Sequence, residues 1–236
     1  MKETGLMFKA PLVRAILEGR KTQTRRIVKP QPVAGQGMVN AGYCGDRHLW
    51  LRDGPCDKTD PAYEWRCPMG KPGDRIYVRE TWANGIHALA AEREEDGPFV
   101  YAADGDLAVQ GRLGERWKPA IHMPKYAARI WLEITAVRVE RLQDISEDDA
   151  DAEGCERLET ERYERDWKLC PKCGGTRLHD ALGAGLGVIH DVDCRECDTY
   201  VKRFRHLWLS TGGDWDANPW VWVIDFKTIS TNGHPA

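Results

Sequence analysis

Gly19-Arg20-Lys21-Thr22-Gln23-Thr24-Arg25-Arg26 is the stretch from which the fold and the chemistry of this chain are best read. It follows a short amphipathic segment, residues 11–18, in which apolar side chains recur at helical spacing. Pro11 suits the first turn of a helix, and Gly19 suits the left-handed residue that ends one. The sequence therefore predicts a helix that ends where a run of cations and hydroxyls begins.

The side chains of this run can do chemistry together. The amine of Lys21 can act as a base if its pKa is lowered, and Thr22 and Thr24 supply hydroxyls. The guanidinium groups of Arg25 and Arg26 can hold phosphate or carboxylate. The alternative is purely structural: cations placed against the negative end of a helix dipole, followed by a basic, solvated strand. Spacing alone leaves both interpretations open.

The pattern Gly-Arg-Lys-Thr-x-Thr-x-Arg after the end of an Ile-Leu helix resembles the signature of the ASCH domain family, which has a PUA-like β-barrel fold. Residues 144–150, which lead to Glu153-Gly154, resemble the helix and Glu-Gly turn that close the same site in that family. Residues 73–82 and 218–223 are similar to stretches of its longer, phage- and prophage-associated members. The resemblance implies an α+β fold, a small PUA-like barrel with flanking helices, with residues 1–236 forming a single domain.

The resemblance also implies a site. Some compact ASCH proteins remove the acetyl group from N(4)-acetylcytidine, and the residues they use match Lys21, Thr24 and Glu153. In the implied mechanism Lys21 takes the proton of Thr24, the Thr24 hydroxyl attacks the acetyl carbonyl, and Glu153 protonates the leaving amine. Arg26 can stabilise the oxyanion. The candidate substrate-binding residues are Arg20, Arg25, Arg26 and, as a reserve acid, Glu80.

A second function stays open, since PUA-like barrels commonly bind RNA. The chain would then be an RNA- or nucleotide-binding module in which arginines hold phosphate and an aromatic side chain stacks on a base. Lys21 and Glu153 would form a structural ion pair. The chain has ten tryptophans, most of which lie in apolar or strand contexts typical of a core. The expected partner is accordingly a modified nucleoside or RNA, and the oligomeric state is not set by the sequence.

Two Cys-x-x-Cys knuckles predict a metal site. They are Cys170–Cys173 and Cys194–Cys197, with twenty residues between them. Paired knuckles of this kind let four thiolates reach one tetrahedral zinc and leave no open coordination position, so we expect a structural zinc within an insert at about residues 168–200. Redox chemistry and free thiols are the alternatives. No organic cofactor is predicted.

A second cysteine group lies in a Gly-, Pro- and Asp-rich insertion, residues 33–72. Cys44, Cys56 and Cys67, with His48 near them, contain the ligands of a zinc site built from three cysteines and one histidine. Their wide spacing lacks a knuckle, and free, partly buried thiols are the alternative.

Composition bounds the rest. At 236 residues and 42% hydrophobic content, the chain is long enough for one substantial core plus an insert. There is no run of about 18 apolar residues and no apolar core of a signal peptide near Met1, which predicts no membrane span and a cytoplasmic protein. The net charge of -3 argues against indiscriminate coating of nucleic acid. Charge is unevenly spread, because residues 1–31 hold eight Lys or Arg against two acids and residues 144–166 hold eleven acids against three Arg.

Periodicity predicts the principal elements. We expect strands at 75–82, 99–102, 128–142 and 220–226, helices at 146–154, 156–168 and 201–209, and a short hairpin around 48–52. The inward-facing residues of the 128–142 strand change parity midway, which predicts a bulge near Ala136.

Overall fold

The computed structural model of the chain describes residues 1–32, 38–44, 47–52, 64–84, 99–105, 116–155, 169–183 and 187–235, with the backbone alone at 38–44, 47–52 and 64–65. The predicted helix at 156–168 and Cys56 lie outside the described residues, as do the side chains of Cys44 and His48.

The described part contains strands and a few helices. The strands are β1 (Glu3–Met7), β2 (Gln23–Ile27), β3 (Met38–Cys44), β4 (Arg47–Arg52), β5 (Glu64–Trp65), β6 (Arg75–Arg79), β7 (Trp82–Asn84), β8 (Phe99–Tyr101), β9 (Trp131–Arg141), β10 (Leu178–Leu182), β11 (Val188–Asp193) and β12 (Trp220–Ser230). The α-helices are α1 (Ala10–Leu17), α2 (Glu147–Ala152) and α3 (Tyr200–Ser210). Short 3-10 turns cover Ala102–Asp104, Ala120–His122, Lys125–Ala127 and Leu142–Asp144.

The main sheet has five strands in the order β1-β6-β9-β12-β2. β1 runs parallel to β6, and the other neighbours are antiparallel. β9 and β12 pair along most of their lengths, with a shift in register where Asp225 faces Ala136 and Phe226 faces Ile134. The bulge predicted near Ala136 is therefore confirmed, and it bends the longest pair of strands.

The predicted α+β class is confirmed, but a closed barrel is not formed by the described strands, because β1 and β2 are the two edges of the main sheet. The edges do approach each other: the Arg26 guanidinium of β2 donates to the carbonyl oxygen of Met7 in β1 at 3.3 Å. Smaller sheets are formed by β3-β4-β5, β7-β8 and β10-β11. None of the helices in the described segments has the length and apolar character needed to cross a membrane.

The helices α1 and α2 begin and end at the residue types that the sequence predicts. α1 has Pro11 in its first turn and buries Leu12, Val13 and Ile16 against the sheet. α2 begins at Ser146, whose side chain accepts a hydrogen bond from the Asp149 amide at 3.1 Å. Each helix is followed by a glycine in the left-handed conformation, at Gly19 and Gly154. These two turns deliver the loop after α1 and the end of α2 to the same place.

Candidate functional site

Lys21 and Glu153 meet because a backbone hydrogen bond joins the turn after α1 to the end of α2. The Lys21 amide donates to the Ala15 carbonyl, and the neighbouring Thr22 amide donates to the Ala152 carbonyl, each at 2.9 Å. Glu153 is the C-cap residue of α2. The basic start of the chain and its acidic later segment are thus in direct contact.

The Lys21 ammonium is buried and uses all three of its donors. It bonds to the Glu153 carboxylate, to the Glu153 carbonyl and to the Gln23 carbonyl, each at 2.7 Å. Burial lowers the pKa of Lys21, and the charge and hydrogen bond of Glu153 oppose that shift. The pair is consequently a buried ion pair whose cation is fully hydrogen-bonded.

Thr24 lies on β2, beside this pair, and is also buried. Its hydroxyl oxygen accepts a hydrogen bond from Nη1 of Arg26 at 2.8 Å. Among the described contacts, no hydrogen bond joins Lys21 Nζ to the Thr24 hydroxyl, because the ammonium donors are taken by the three acceptors named above. Arg26 itself is half-buried, and it also lies over the ring of Phe8.

Arg25 connects the pair to an acidic cluster. Its guanidinium lies 3.4 Å from Glu153, 3.1 Å from Asp149 and 3.4 Å from Glu140. The Arg25 Nε atom is buried and has no hydrogen-bond partner. Arg25 therefore contacts Oε1 of Glu153, whereas Lys21 contacts Oε2, and one donor of Arg25 stays unsatisfied.

A second arginine completes this cluster. Arg138 bonds to Asp149 and Asp225 at 2.7 Å each, and the Gln23 amide donates to the same two carboxylates at 2.9 and 2.7 Å. Burial alone would raise the pKa of Asp149, but the bonds from Gln23 and Arg138 outweigh it and hold that pKa below its usual value. The sequence does not predict this cluster, since its members lie on separate elements and carry no local pattern.

Lys21, Thr24 and Glu153 line one cleft of about 760 Å³. Its aromatic and apolar walls come from Phe8, Phe204 and Trp208, and Arg25 and Arg26 also line it. The Lys21 ammonium lies 5.7 Å from the centre of the Phe8 ring. Phe204 and Trp208 recur at the helical spacing expected of buried residues in α3. The sequence therefore identifies them as apolar and does not distinguish residues that line a cleft from residues of the core.

Two predicted substrate-binding residues lie elsewhere. Arg20 pairs with Glu18 at 2.6 Å and donates to the Cys155 carbonyl. Glu80 is buried, and both of its carboxylate oxygens bond to Arg129, at 3.0 and 3.1 Å. Burial raises the pKa of Glu80, while Arg129 opposes the shift. Neither residue belongs to the lining of the cleft.

The cysteines of the two knuckles come together as one buried group, the four-cysteine cluster. Their sulfur atoms all lie within 4.8 Å of one another, with Cys170 and Cys194 at 3.8 Å and Cys173 and Cys197 at 3.5 Å. The β10-β11 hairpin lies between the knuckles. The four-cysteine cluster can hold a metal ion, and among the described side chains no other group of His, Cys, Asp or Glu has that property.

Cys67 is half-buried, and burial raises the pKa of its thiol. The other members of the second predicted zinc site are not among the described side chains, so that site stays a prediction.

In comparisons with known proteins, no family model, no curated protein and no solved structure matches the chain.

Proposed function

We propose that the chain is an ASCH-type amidohydrolase that acts on an acylated nucleoside such as N(4)-acetylcytidine. One observation carries the proposal: Lys21, Thr24 and Glu153, only 1%, 1% and 3% exposed, line the same cleft. A base, a hydroxyl and an acid with access to one ligand are the minimum set for acyl transfer. Burying an ion pair costs desolvation free energy, so a functional role is a reasonable cause for its presence.

The Lys21–Glu153 contact can prepare both catalytic groups in one step. Transfer of a proton from the ammonium to the carboxylate, across 2.7 Å, gives a neutral amine and a neutral carboxylic acid. Burial lowers the pKa of Lys21, which favours loss of a proton from the ammonium. Lys21 is then a base for Thr24, and Glu153 is an acid for the leaving group.

The reaction begins with Lys21 as a neutral amine and Glu153 as a neutral carboxylic acid. The Thr24 oxygen attacks the acetyl carbonyl carbon while its proton passes to the Lys21 amine. Arg26 already donates to the Thr24 oxygen, which favours developing negative charge there. Collapse of the tetrahedral intermediate breaks the carbon–nitrogen bond, and Glu153 protonates the departing amine. Water then hydrolyses the threonine ester, releases acetate and returns both groups to their resting states.

The walls of the cleft suit a nucleobase. Phe8 and Trp208 contribute apolar aromatic atoms to the cleft lining, and a volume of about 760 Å³ lies within the range of small-molecule sites.

A non-catalytic RNA- or nucleotide-binding module is the second candidate, and the charge of the rim favours it. Lys9 and Lys29 are exposed at the cleft, and Arg26 is half-buried there. Cations beside aromatic rings can bind phosphate and bases without any reaction.

The four-cysteine cluster is proposed to hold a structural zinc ion. Four sulfur atoms at about 2.3 Å from zinc in a tetrahedron lie about 3.8 Å apart, which matches the observed separations of 3.8 and 3.5 Å. Zinc would link the two knuckles and leave no position for substrate. Metal analysis of the purified chain should give one zinc per chain, and Cys173→Ser should lose it.

Hydrolysis assays test the reaction. N(4)-acetylcytidine, as nucleoside and within a short RNA, is offered to the wild type and to Lys21→Ala, Thr24→Ala and Glu153→Gln. Each variant should lose about 100-fold or more of kcat/KM. Thr22→Ala is the matched control for Thr24→Ala, because Thr22 is exposed and lies outside the cleft lining.

The assay separates the two candidates. Absence of turnover on both substrates by the folded wild type, together with salt-sensitive RNA binding that weakens in Arg26→Ala, would replace the enzyme by the binding module.

A further inference from the structure

Helix α3 has two faces that serve different parts of the molecule. It begins three residues after Cys197, the last member of the four-cysteine cluster, and Thr199 caps it by accepting from the Lys202 amide. One of its faces carries Phe204 and Trp208, which line the proposed active-site cleft. The other face meets the second knuckle. The helix therefore lies between the metal site and the cleft.

Three successive carbonyl groups of the knuckle are bonded to side chains of α3. Lys202 Nζ donates to the Arg195 carbonyl at 2.7 Å, and Arg203 Nε donates to the Cys197 carbonyl at 2.9 Å. His206 Nε2 lies 2.9 Å from the Glu196 carbonyl oxygen. The Arg203 bond is buried and is thus the one least replaceable by water. The backbone shape of the knuckle consequently sets the position of the helix.

Other residues of α3 contact α2 and β2, the elements next to the proposed catalytic residues. The Glu147 carboxylate of α2 accepts from the Tyr200 and Val201 amides at 2.7 and 3.3 Å, and α2 ends at Glu153. Phe204 packs under the Arg25 guanidinium, 5.7 Å from the ring centre. Movement of α3 would thus disturb both the wall of the cleft and the groups that hold Glu153.

We propose that the four-cysteine cluster positions the cleft wall: a metal ion bound there fixes the knuckle, the knuckle fixes α3 through Arg203, and α3 completes the cleft. Arg203 is a positioning residue, since it is not among the residues that line the cleft. The coupling concerns the cleft proposed above as the active site, but it does not require that the cleft hydrolyse an amide. By linkage, a ligand held by the α3 wall and a metal ion in the cluster strengthen each other's binding by the same factor.

Amide hydrogen exchange on the full chain tests the coupling without any assay of activity. Exchange is followed by mass spectrometry with Zn²⁺ bound and after removal of the ion by a chelator. Amides of residues 200–211 should exchange at least about tenfold faster without the ion, whereas amides of β9 and β12 should change less than about twofold. Equal acceleration of both regions would show general support of the fold and overturn the proposal, as would unchanged exchange in α3.

A pair of arginine variants tests the link with the ion still in place. Arg203→Met keeps all four cysteines and should keep one bound Zn²⁺, yet exchange in α3 should rise several-fold. Arg205→Met is the matched control, because Arg205 is exposed on the same helix, and it should leave exchange unchanged. Equal exchange in the two zinc-loaded variants would overturn the link through Arg203. Loss of the proposed hydrolysis would leave all these readouts intact, so failure of one proposal is distinguishable from failure of the other.

Discussion

At the residue scale, the Lys21–Glu153 pair governs the charge of the cleft. Both groups give up hydration when they are buried, and their attraction returns only part of that cost. Removing one partner should therefore harm the fold more than removing the charge of both. The Arg25 guanidinium, 3.4 Å from the Glu153 carboxylate, is too distant to replace the Lys21 contact fully.

Lys21→Met should lower the free energy of unfolding by about 3 kcal/mol, because it leaves the Glu153 carboxylate buried with a weaker partner. The double variant Lys21→Met/Glu153→Gln, with no charge on either side chain, should lose less than Lys21→Met alone. Urea unfolding of the two single variants and the double variant completes a double-mutant cycle. Additive losses would contradict a coupled pair.

The pH dependence of stability reports on Asp149. Gln23 and Arg138 hold the pKa of this carboxyl below its usual value, so over the intervening pH range the unfolded chain binds a proton that the folded chain does not. Stability from this group is complete above the unfolded pKa of about 3.9 and is lost as pH falls through the lower folded pKa.

As the pH falls below about 5, the free energy of unfolding of Asp149→Asn should therefore decrease less than that of the wild type. Urea midpoints measured across that range check the slope. Asp148→Asn serves as control, since Asp148 is exposed on the same helix and its variant should follow the wild-type slope. Parallel curves for the wild type and Asp149→Asn would count against the proposed role of the carboxyl.

How much of the site was predictable differs from residue to residue. Lys21 and Thr24 stand in one short pattern, and the sequence identifies them together. Their meeting with Glu153 was implied by the family resemblance alone, because 132 residues separate the ion-paired side chains and no spacing rule spans that interval. Phe8 entered no pattern, and its contact with the Lys21 ammonium exists only after the sheet has folded.

At the element scale, α1 and α2 end alike, with a C-cap glutamate followed by a left-handed glycine, yet their surroundings differ. A Cβ atom added at Gly154 would lie 2.7 Å from the Lys21 Cβ and 3.0 Å from the Ala15 Cβ. At Gly19, an added Cβ would meet nothing within 4 Å. A substitution at Gly19 therefore introduces backbone strain alone, whereas a substitution at Gly154 introduces strain together with crowding.

Gly19→Ala should destabilise the chain by about 1 kcal/mol, the cost of a left-handed alanine. Gly154→Ala should cost clearly more, since Lys21 or α1 must shift as well. Thermal unfolding of both variants gives the comparison. Equal losses would mean that the turn at Gly154 yields without moving Lys21.

Local sequence patterns predicted the type and position of several helices and strands. The helix α3 begins and ends within one residue of the expected 201–209 helix. The strand expected at 75–82 is only partly right: Ile76 and Val78 alternate and are buried in β6, but β6 ends at Arg79, and Trp82 begins β7 in a different sheet. Closure of the sheet was a different question. Alternation identifies which face of a strand is buried but not which edges will pair, so the expectation of a barrel came from the family resemblance alone.

At the scale of the whole molecule, β12 is the strand on which the main sheet depends. It lies between β9 and β2, and its partners stand far apart in the chain. Val221, Val223 and Ile224 are fully buried in the same core as α1 and α3. The β10-β11 hairpin between the two knuckles, by contrast, exposes Val188 and Ile189 on β11. The core of the sheet should therefore dominate global stability, while the hairpin contributes locally.

The same substitution, valine to alanine, on β12 and on β11 tests whether the sheet core and the hairpin contribute differently to global stability. Val223→Ala removes two methyl groups from β12, an interior strand of the main sheet, and should lower the free energy of unfolding by about 2 kcal/mol, through lost burial and the cavity left behind. Val188→Ala removes the same atoms from a side chain that is 53% exposed, and it should cost less than about 0.5 kcal/mol. Urea unfolding of the zinc-loaded chain measures both. A loss at Val188 as large as that at Val223 would show that the hairpin belongs to the cooperative core, and the cleft wall would then depend on the metal through the whole fold instead of through α3.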